Sequence, residues 1–176
     1  YAIKKGVESP FIRPQELSLE HVGIQEVLAF AIDQLEIQGG VPDVCVVLEQ
    51  NYPFRPPKFI DLLIEKFMSA QGHALMSTFR EPRASWVESN DSLVAWSKMM
   101  PRTLKNDQLW ISLFGLGFVT YPRFFSDLSL GLDNLELFDA SHAHAALEVR
   151  DDDAFSSCEI LLDTFWRDFA HPDSSN

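Results

Sequence analysis

Apolar positions recur at intervals of three and four between Val22 and Gln38, where Ile24, Val27, Leu28, Ala31 and Leu35 fall on one side and Gly39-Gly40 ends the run. That spacing predicts an amphipathic helix stopped by glycine. The period then changes. Val44 to Leu48 is a continuous aliphatic run, as a strand buried on both faces requires. It stops abruptly in Glu49-Gln50-Asn51-Tyr52-Pro53-Phe54-Arg55-Pro56-Pro57, a polar, proline-bounded turn. Pro57 opens a second helix reaching Ala70, with Phe59, Leu62, Leu63, Lys66 and Phe67 in register. His73 to Phe79 reads as the next strand, ending in Arg80-Glu81-Pro82-Arg83, and Ser85 to Trp96 as a hairpin around Asn90-Asp91.

The second half is less regular. Trp110 to Tyr121 is apolar and broken by Gly115 and Gly117, the pattern of a strand approached closely by another backbone or a ligand. Pro122 starts a short helix carrying Phe124, Phe125 and Leu128. Leu132 to Phe138 reads as a helical turn and Ala145 to Val149 as an edge strand. Cys158 to Phe169 reads as a terminal helix with Ile160, Leu161, Phe165 and Phe169 on one side. Tyr1 to Leu17 is polar and extended, since Pro10 and Pro14 forbid a continuous helix. One α/β domain over residues 1–170 is expected, with 171–176 a mobile tail.

Composition narrows the chemistry. A formal charge of −12 argues against nucleic acid or an anionic membrane surface as partner, because phosphate neutralisation needs clustered Lys and Arg. Two cysteines among 176 residues are too few for a disulfide framework and suit a reducing compartment. With no apolar run of about 18 residues, the reading is a soluble intracellular chain, in cytoplasm or an organelle interior, or one processed from something longer.

Open α/β sheets bind ligands where strands end at their carboxyl edge, which draws attention to Glu49, Gln50, Asn51 and Arg55 and, after the next strand, to Arg80. Pro10, Phe11, Arg13, Pro14 and Leu17, followed by the strand and turn from Asp43 to Arg55 with Pro53 and Arg55 in place, resemble the acylneuraminate cytidylyltransferase family, the CMP-sialic-acid and CMP-KDO synthetases. Leu113 to Thr120 resembles that family's glycine-containing strand, and Ala146 to Asp153 the acidic strand leading to its metal site. The resemblance covers nearly the whole chain. It implies a three-layer, Rossmann-like nucleotidyltransferase sheet, here lacking its amino-terminal strands. The implied reaction is CMP transfer from CTP to an acidic sugar such as sialic acid or KDO, with Mg²⁺ as cofactor and an oligomeric assembly. On the acceptor-sugar side it retains Glu49, Gln50, Asn51, Arg55, Arg80 and Lys105, of which Arg55 or Lys105 would hold the sugar carboxylate.

The sequence departs from the family at four places. Glu49 stands where the family has glutamine, and Asn51-Tyr52 replace threonine-serine. No basic, glycine-rich nucleotide loop is present. Ala154 to Glu159 carries Ser156, Ser157 and Cys158 where the family places metal-binding aspartates. Mg²⁺ prefers hard carboxylate oxygen to a thiol, and transfer of a phosphoryl-type group rests on neutralising its charge. Two functions therefore stay open: a cytidylyltransferase, or a catalytically inactive relative acting as a structural or interaction subunit.

Each candidate also has a plainer reading. Arg55 can cap the preceding turn or pair with Asp61, and Glu49-Gln50-Asn51 can be turn polarity. Asp151 to Asp153 reads as a solvated acidic turn. His142-x-His144 would share one face of a strand and could hold a metal, but lacks a third ligand at fixed spacing. Cys45 reads as core. Cys158 lies near Glu159 and Asp163, carboxylates that raise a thiol's pKa and blunt its reactivity. The four tryptophans and fourteen phenylalanines read as core, or as an interface with another chain.

Overall fold

A computed structural model describes residues 3–96, 109–126 and 135–166. Its described residues form a mixed α/β structure in two compact units, one from 1–45 with 120–134, the other from 46–119 with 135–176.

In the first unit, helix α1 spans Ile24–Ile37. Its end follows from Gly39, whose φ of +83° is the left-handed conformation glycine tolerates. The Gly39 and Gly40 amides bond back to the Glu36 and Leu35 carbonyls, each at 2.9 Å. Phe11 meets Phe30 of this helix edge-on at 5.7 Å, and Gln38 Nε2 donates to the Pro10 carbonyl at 3.3 Å. The Pro10–Leu17 motif is thus tied to α1 by one ring and one amide. A second, short helix, Arg123–Ser126, packs in the same unit. It is α3 in chain order; Leu128, expected in it, lies outside the described residues.

The other α-helices and, apart from the end residues Cys45 and Thr120, the strands belong to the second unit. Strands β1 (Cys45–Val47), β2 (Ala74–Glu81), β5 (Leu109–Ser112), β6 (Phe118–Thr120) and β7 (Leu135–Asp139) make one sheet. Its order is β1-β6-β2-β5, with β7 also pairing β2. Pairing is parallel between β2 and β7 and antiparallel between β2 and β5. β3 (Trp86–Ser89) and β4 (Ser92–Ala95) form a separate hairpin. Asn90 and Asp91 sit at φ +50° and +58°, as a two-residue turn matching strand twist requires.

Helix α2 spans Phe59–Ser69 and buries Phe59, Leu63 and Phe67, residues spaced four apart. Pro57 does not open it: Lys58, at φ +60°, intervenes, and the Phe59 amide closes a turn on the Pro56 carbonyl at 3.0 Å. Leu62 is half exposed, off the buried stripe. Leu63, Leu75, Leu116, Phe118 and Val119 are the inner core. Phe54, Cys158 and Trp166 form a second cluster, with Phe54 and Trp166 ring centroids 5.1 Å apart.

Four further sequence expectations need correction. Residues 113–117 are a turn between β5 and β6, not the middle of one strand; the Leu116 and Gly117 amides both return to the Leu113 carbonyl. Leu135–Asp139 is strand β7, because pairing with Ala74–Thr78 outweighs its local helical spacing. Ala143–Ala146 is a 3₁₀ turn rather than an edge strand, so His142 and His144 do not share a strand face. The last helix, α4, begins at Asp152 and runs to Leu161, followed by a π turn over Leu162–Trp166. Cys158 is its buried residue, whereas Ile160 is 65% exposed. Phe169 and the tail lie outside the described residues.

Candidate functional site

The chain leaves β1 at Val47 and enters the loop 48–58 singled out by sequence. This loop is organised from within by Arg55. Its Nη2 donates to the carbonyls of Glu49 at 2.5 Å and Gly115 at 2.8 Å, Nη1 to Tyr52 at 2.9 Å, and Nε to Leu116 at 3.0 Å. A guanidinium has five N–H donors in a fixed fork, and four are spent on main chain from both sides of a tight turn. The Glu49 amide completes the stitch by donating to the Gly115 carbonyl at 2.8 Å. Burial lowers the Arg55 pKa, and nearby Glu49 works in the opposite direction.

The glycines follow from this closeness. A Cβ on Gly115 would lie 2.7 Å from Glu49 Cβ, Glu49 Oε2 and Tyr52 Cε2. One on Gly117 would lie 2.7 Å from Leu63 Cδ2. What approaches these glycines is the protein's own side chains.

On its other flank the loop meets residues 148–150. Asn51 Nδ2 donates to Glu148 Oε1 at 2.7 Å, and the Val149 amide to the Asn51 carbonyl at 2.8 Å. Arg150 Nη2 also reaches Glu148 Oε1 at 2.7 Å, and this partnership raises the Arg150 pKa. Tyr52 is buried at 5% exposure, and its pKa is pushed up to about 12. Desolvation is the largest cause, followed by the charge of Glu148, a hydrogen bond to it, and the charge of Glu49; Arg150 opposes them. Asn51 Oδ1 is buried without a hydrogen-bond partner.

A cavity of about 390 Å³ adjoins this loop, lined by Gln50, Asn51, Phe54, Val149, Phe155 and Cys158 among others. The Cys158 thiol is buried there and its pKa is raised by desolvation. A larger cavity of about 550 Å³ lies in the first unit between α1 and residues 121–125. Asp33, Glu36 and Asp43 line it beside Arg123, so three carboxylates face one cation. That balance disfavours a phosphate or carboxylate ligand, and none of the candidates from sequence line it.

Of the sequence candidates, Glu49, Gln50, Asn51 and Arg55 are brought together on one loop. Arg80 is held within the sheet, paired with Asp139 at 3.4 Å and stacked over the Trp110 ring at 5.0 Å. Lys105 lies outside the described residues. For Arg55, the turn-capping geometry is the one seen. Tyr52, Glu148 and Arg150 were not singled out from sequence. Only the resemblance of Ala146 to Asp153 to an acidic strand pointed towards the last two.

The segment where the resemblance places metal aspartates does not fit Mg²⁺. Asp151 caps α4 by accepting the Ala154 amide at 2.7 Å, Ser157 Oγ donates to the Asp153 carbonyl at 2.9 Å, and Cys158 is buried. Among the described residues no cluster of three or more His, Cys, Asp or Glu side chains could hold a metal ion. Nor is any of their helices long and apolar enough to cross a membrane. No protein-family model matches the chain, and no curated protein is significantly similar to it.

Proposed function

We propose that this chain is a cytidylyltransferase-like protein of the CMP-sugar synthetase kind, built on a Rossmann-like three-layer sheet, with loop 48–55 as its acceptor-sugar side. The observation that carries the reading is the loop itself. A polar turn at the carboxyl end of β1 is fixed by four Arg55 bonds beside a cavity of about 390 Å³. Rigid polar loops at strand ends are where open α/β sheets recognise ligands. Gln50 and Asn51 supply amide donors and acceptors suited to sugar hydroxyls. Arg55 acts through the loop, holding these amides in place, rather than through the sugar carboxylate. The reaction joins a sugar hydroxyl to the α-phosphate of CTP, breaks the α–β phosphoanhydride bond and releases pyrophosphate.

A second reading, a catalytically inactive subunit of a larger assembly, is favoured by how the cations are used. Arg55, Arg80 and Arg150 are each engaged with carbonyl or carboxylate oxygens of the protein itself. The experiment is calorimetric titration of CTP, N-acetylneuraminate and KDO into the chain, with a pyrophosphate-release assay on the mixtures, with and without Mg²⁺. Release of pyrophosphate coupled to a CMP-sugar supports the transferase. Sugar or CTP binding without release supports the inactive relative. Absence of both binding and release overturns the family reading.

A further inference from the structure

The cavity of about 390 Å³ beside loop 48–55 has a chemistry that the sugar reading does not use. Phe155, Cys158, Glu159 and Leu162 lie at i, i+3, i+4 and i+7, so one side of α4 and of the turn continuing it forms a wall. Pro53, Phe54 and Val149 complete the apolar lining. Phe54 and Cys158 are buried, whereas Phe155 is 52% and Leu162 47% exposed. The cavity thus has an apolar floor and an apolar rim open to water. Its volume falls in the range of small-molecule sites.

We propose that this cavity binds a small organic ammonium, an apolar body carrying one protonated amine. Three observations select that occupant. The first is charge. Among the described lining residues Glu159 is the one charged side chain, with no Lys, Arg or His beside it. An anion has nothing to pair with there, and a chain of net −12 draws cations from a distance. The second is the lining itself. Apolar walls take up a hydrocarbon body, and the rings of Phe54 and Phe155 attract a cation over their faces. The third is Asn51, also in the wall. Its Nδ2 donates to Glu148 Oε1 at 2.7 Å, which fixes the amide, because the reverse orientation would set oxygen against carboxylate. Asn51 Oδ1 is left buried without a donor, a costly state for an acceptor. An ammonium brings three donors and no acceptor. An acidic sugar matches neither the charge nor the lining, so the inference goes beyond the sugar reading and does not depend on it.

Three probes that share a phenylethyl body test it: 2-phenylethylamine is a cation, 2-phenylethanol is neutral and 3-phenylpropanoate is an anion. Each is titrated into the whole chain at low salt, where exposed charges are least screened, and followed by amide chemical shifts. The amine should bind about fivefold more tightly than the alcohol, as an exposed ion pair with one ring face predicts, and the anion most weakly. Shifts should gather at residues 50–54, 149 and 155–162. This ranking needs no variant. Glu159→Gln should cut the preference for the amine to about twofold or less, the share left to the rings, with the far-ultraviolet circular dichroism unchanged. Glu65→Gln, on α2 and outside the lining, should leave the preference whole. No binding of the amine at about 20 mM overturns the inference. So does an anion that binds as tightly as the amine, a preference that Glu159→Gln leaves unchanged, or shifts that gather elsewhere.

Discussion

Replacing Arg55 by lysine keeps the charge but loses the fork, so it separates two roles that a deletion would confuse. In the structure, one guanidinium serves the carbonyls of Glu49, Tyr52, Gly115 and Leu116. Gly115 keeps a second donor in the Glu49 amide, so the loss in Arg55→Met falls on three carbonyls. At about 1 kcal/mol for each, the low end for a buried acceptor left unpaired, the cost is about 3 kcal/mol. For a chain of this size that lowers Tm by about 6–12 °C. An ammonium can replace one of these bonds but cannot span the turn, so Arg55→Lys should cost about 2 kcal/mol. The assay is urea unfolding followed by tryptophan fluorescence, with thermal scans alongside. If Arg55→Lys is within about 0.5 kcal/mol of the parent while Arg55→Met is not, charge rather than geometry matters and the clamp argument is wrong.

Other outcomes follow from the same neighbourhood and from the core. Gly115→Ala forces a methyl to within 2.7 Å of Glu49 and Tyr52 and should destabilise by about 1–3 kcal/mol, read from the same urea curves. Leu63→Ala, at a fully buried site, should cost about 2–5 kcal/mol by cavity formation. Tyr52 has a folded-state pKa raised above its ordinary value of 10.0, to about 12. Its contribution is therefore fully present below pH 10 and is lost as pH rises towards 12. Tyr52→Phe should flatten the fall in stability across that window, measured by chemical denaturation at a series of alkaline pH values.

Local chemistry made much of this fold legible before any coordinates. α1 announces itself by its apolar stripe and paired glycines, α2 by a four-residue spacing that survives as Phe59, Leu63 and Phe67. The Asn90-Asp91 turn is written in two residues that tolerate positive φ. The misread segments are those whose conformation is decided at long range. Leu135–Asp139 is a strand because Ala74–Thr78 is beside it, which no short window can reveal. Residues 113–117 fold back because Ser77, Glu49 and Arg55 take up their backbone groups. At the candidate site the loop was legible, since a buried strand ending in polar residues is a local pattern. Its partners Glu148 and Arg150, almost a hundred positions away, were not. For Arg55 the turn-capping reading was open from sequence and is the geometry seen, but its distant acceptors Gly115 and Leu116 were hidden, because a main-chain carbonyl leaves no trace in sequence.

The Arg55 clamp also constrains the order in which the molecule can assemble. Two of its four acceptors lie 60 and 61 residues further along the chain. A growing or refolding polypeptide therefore reaches the native form of loop 48–55 only after the turn at 113–117 has closed. Closing so long a loop costs entropy before any bond repays it. Until then the guanidinium stays hydrated and the segment after β1 has no fixed path. Completing the candidate site thus depends on parts of the chain that are themselves no part of its chemistry.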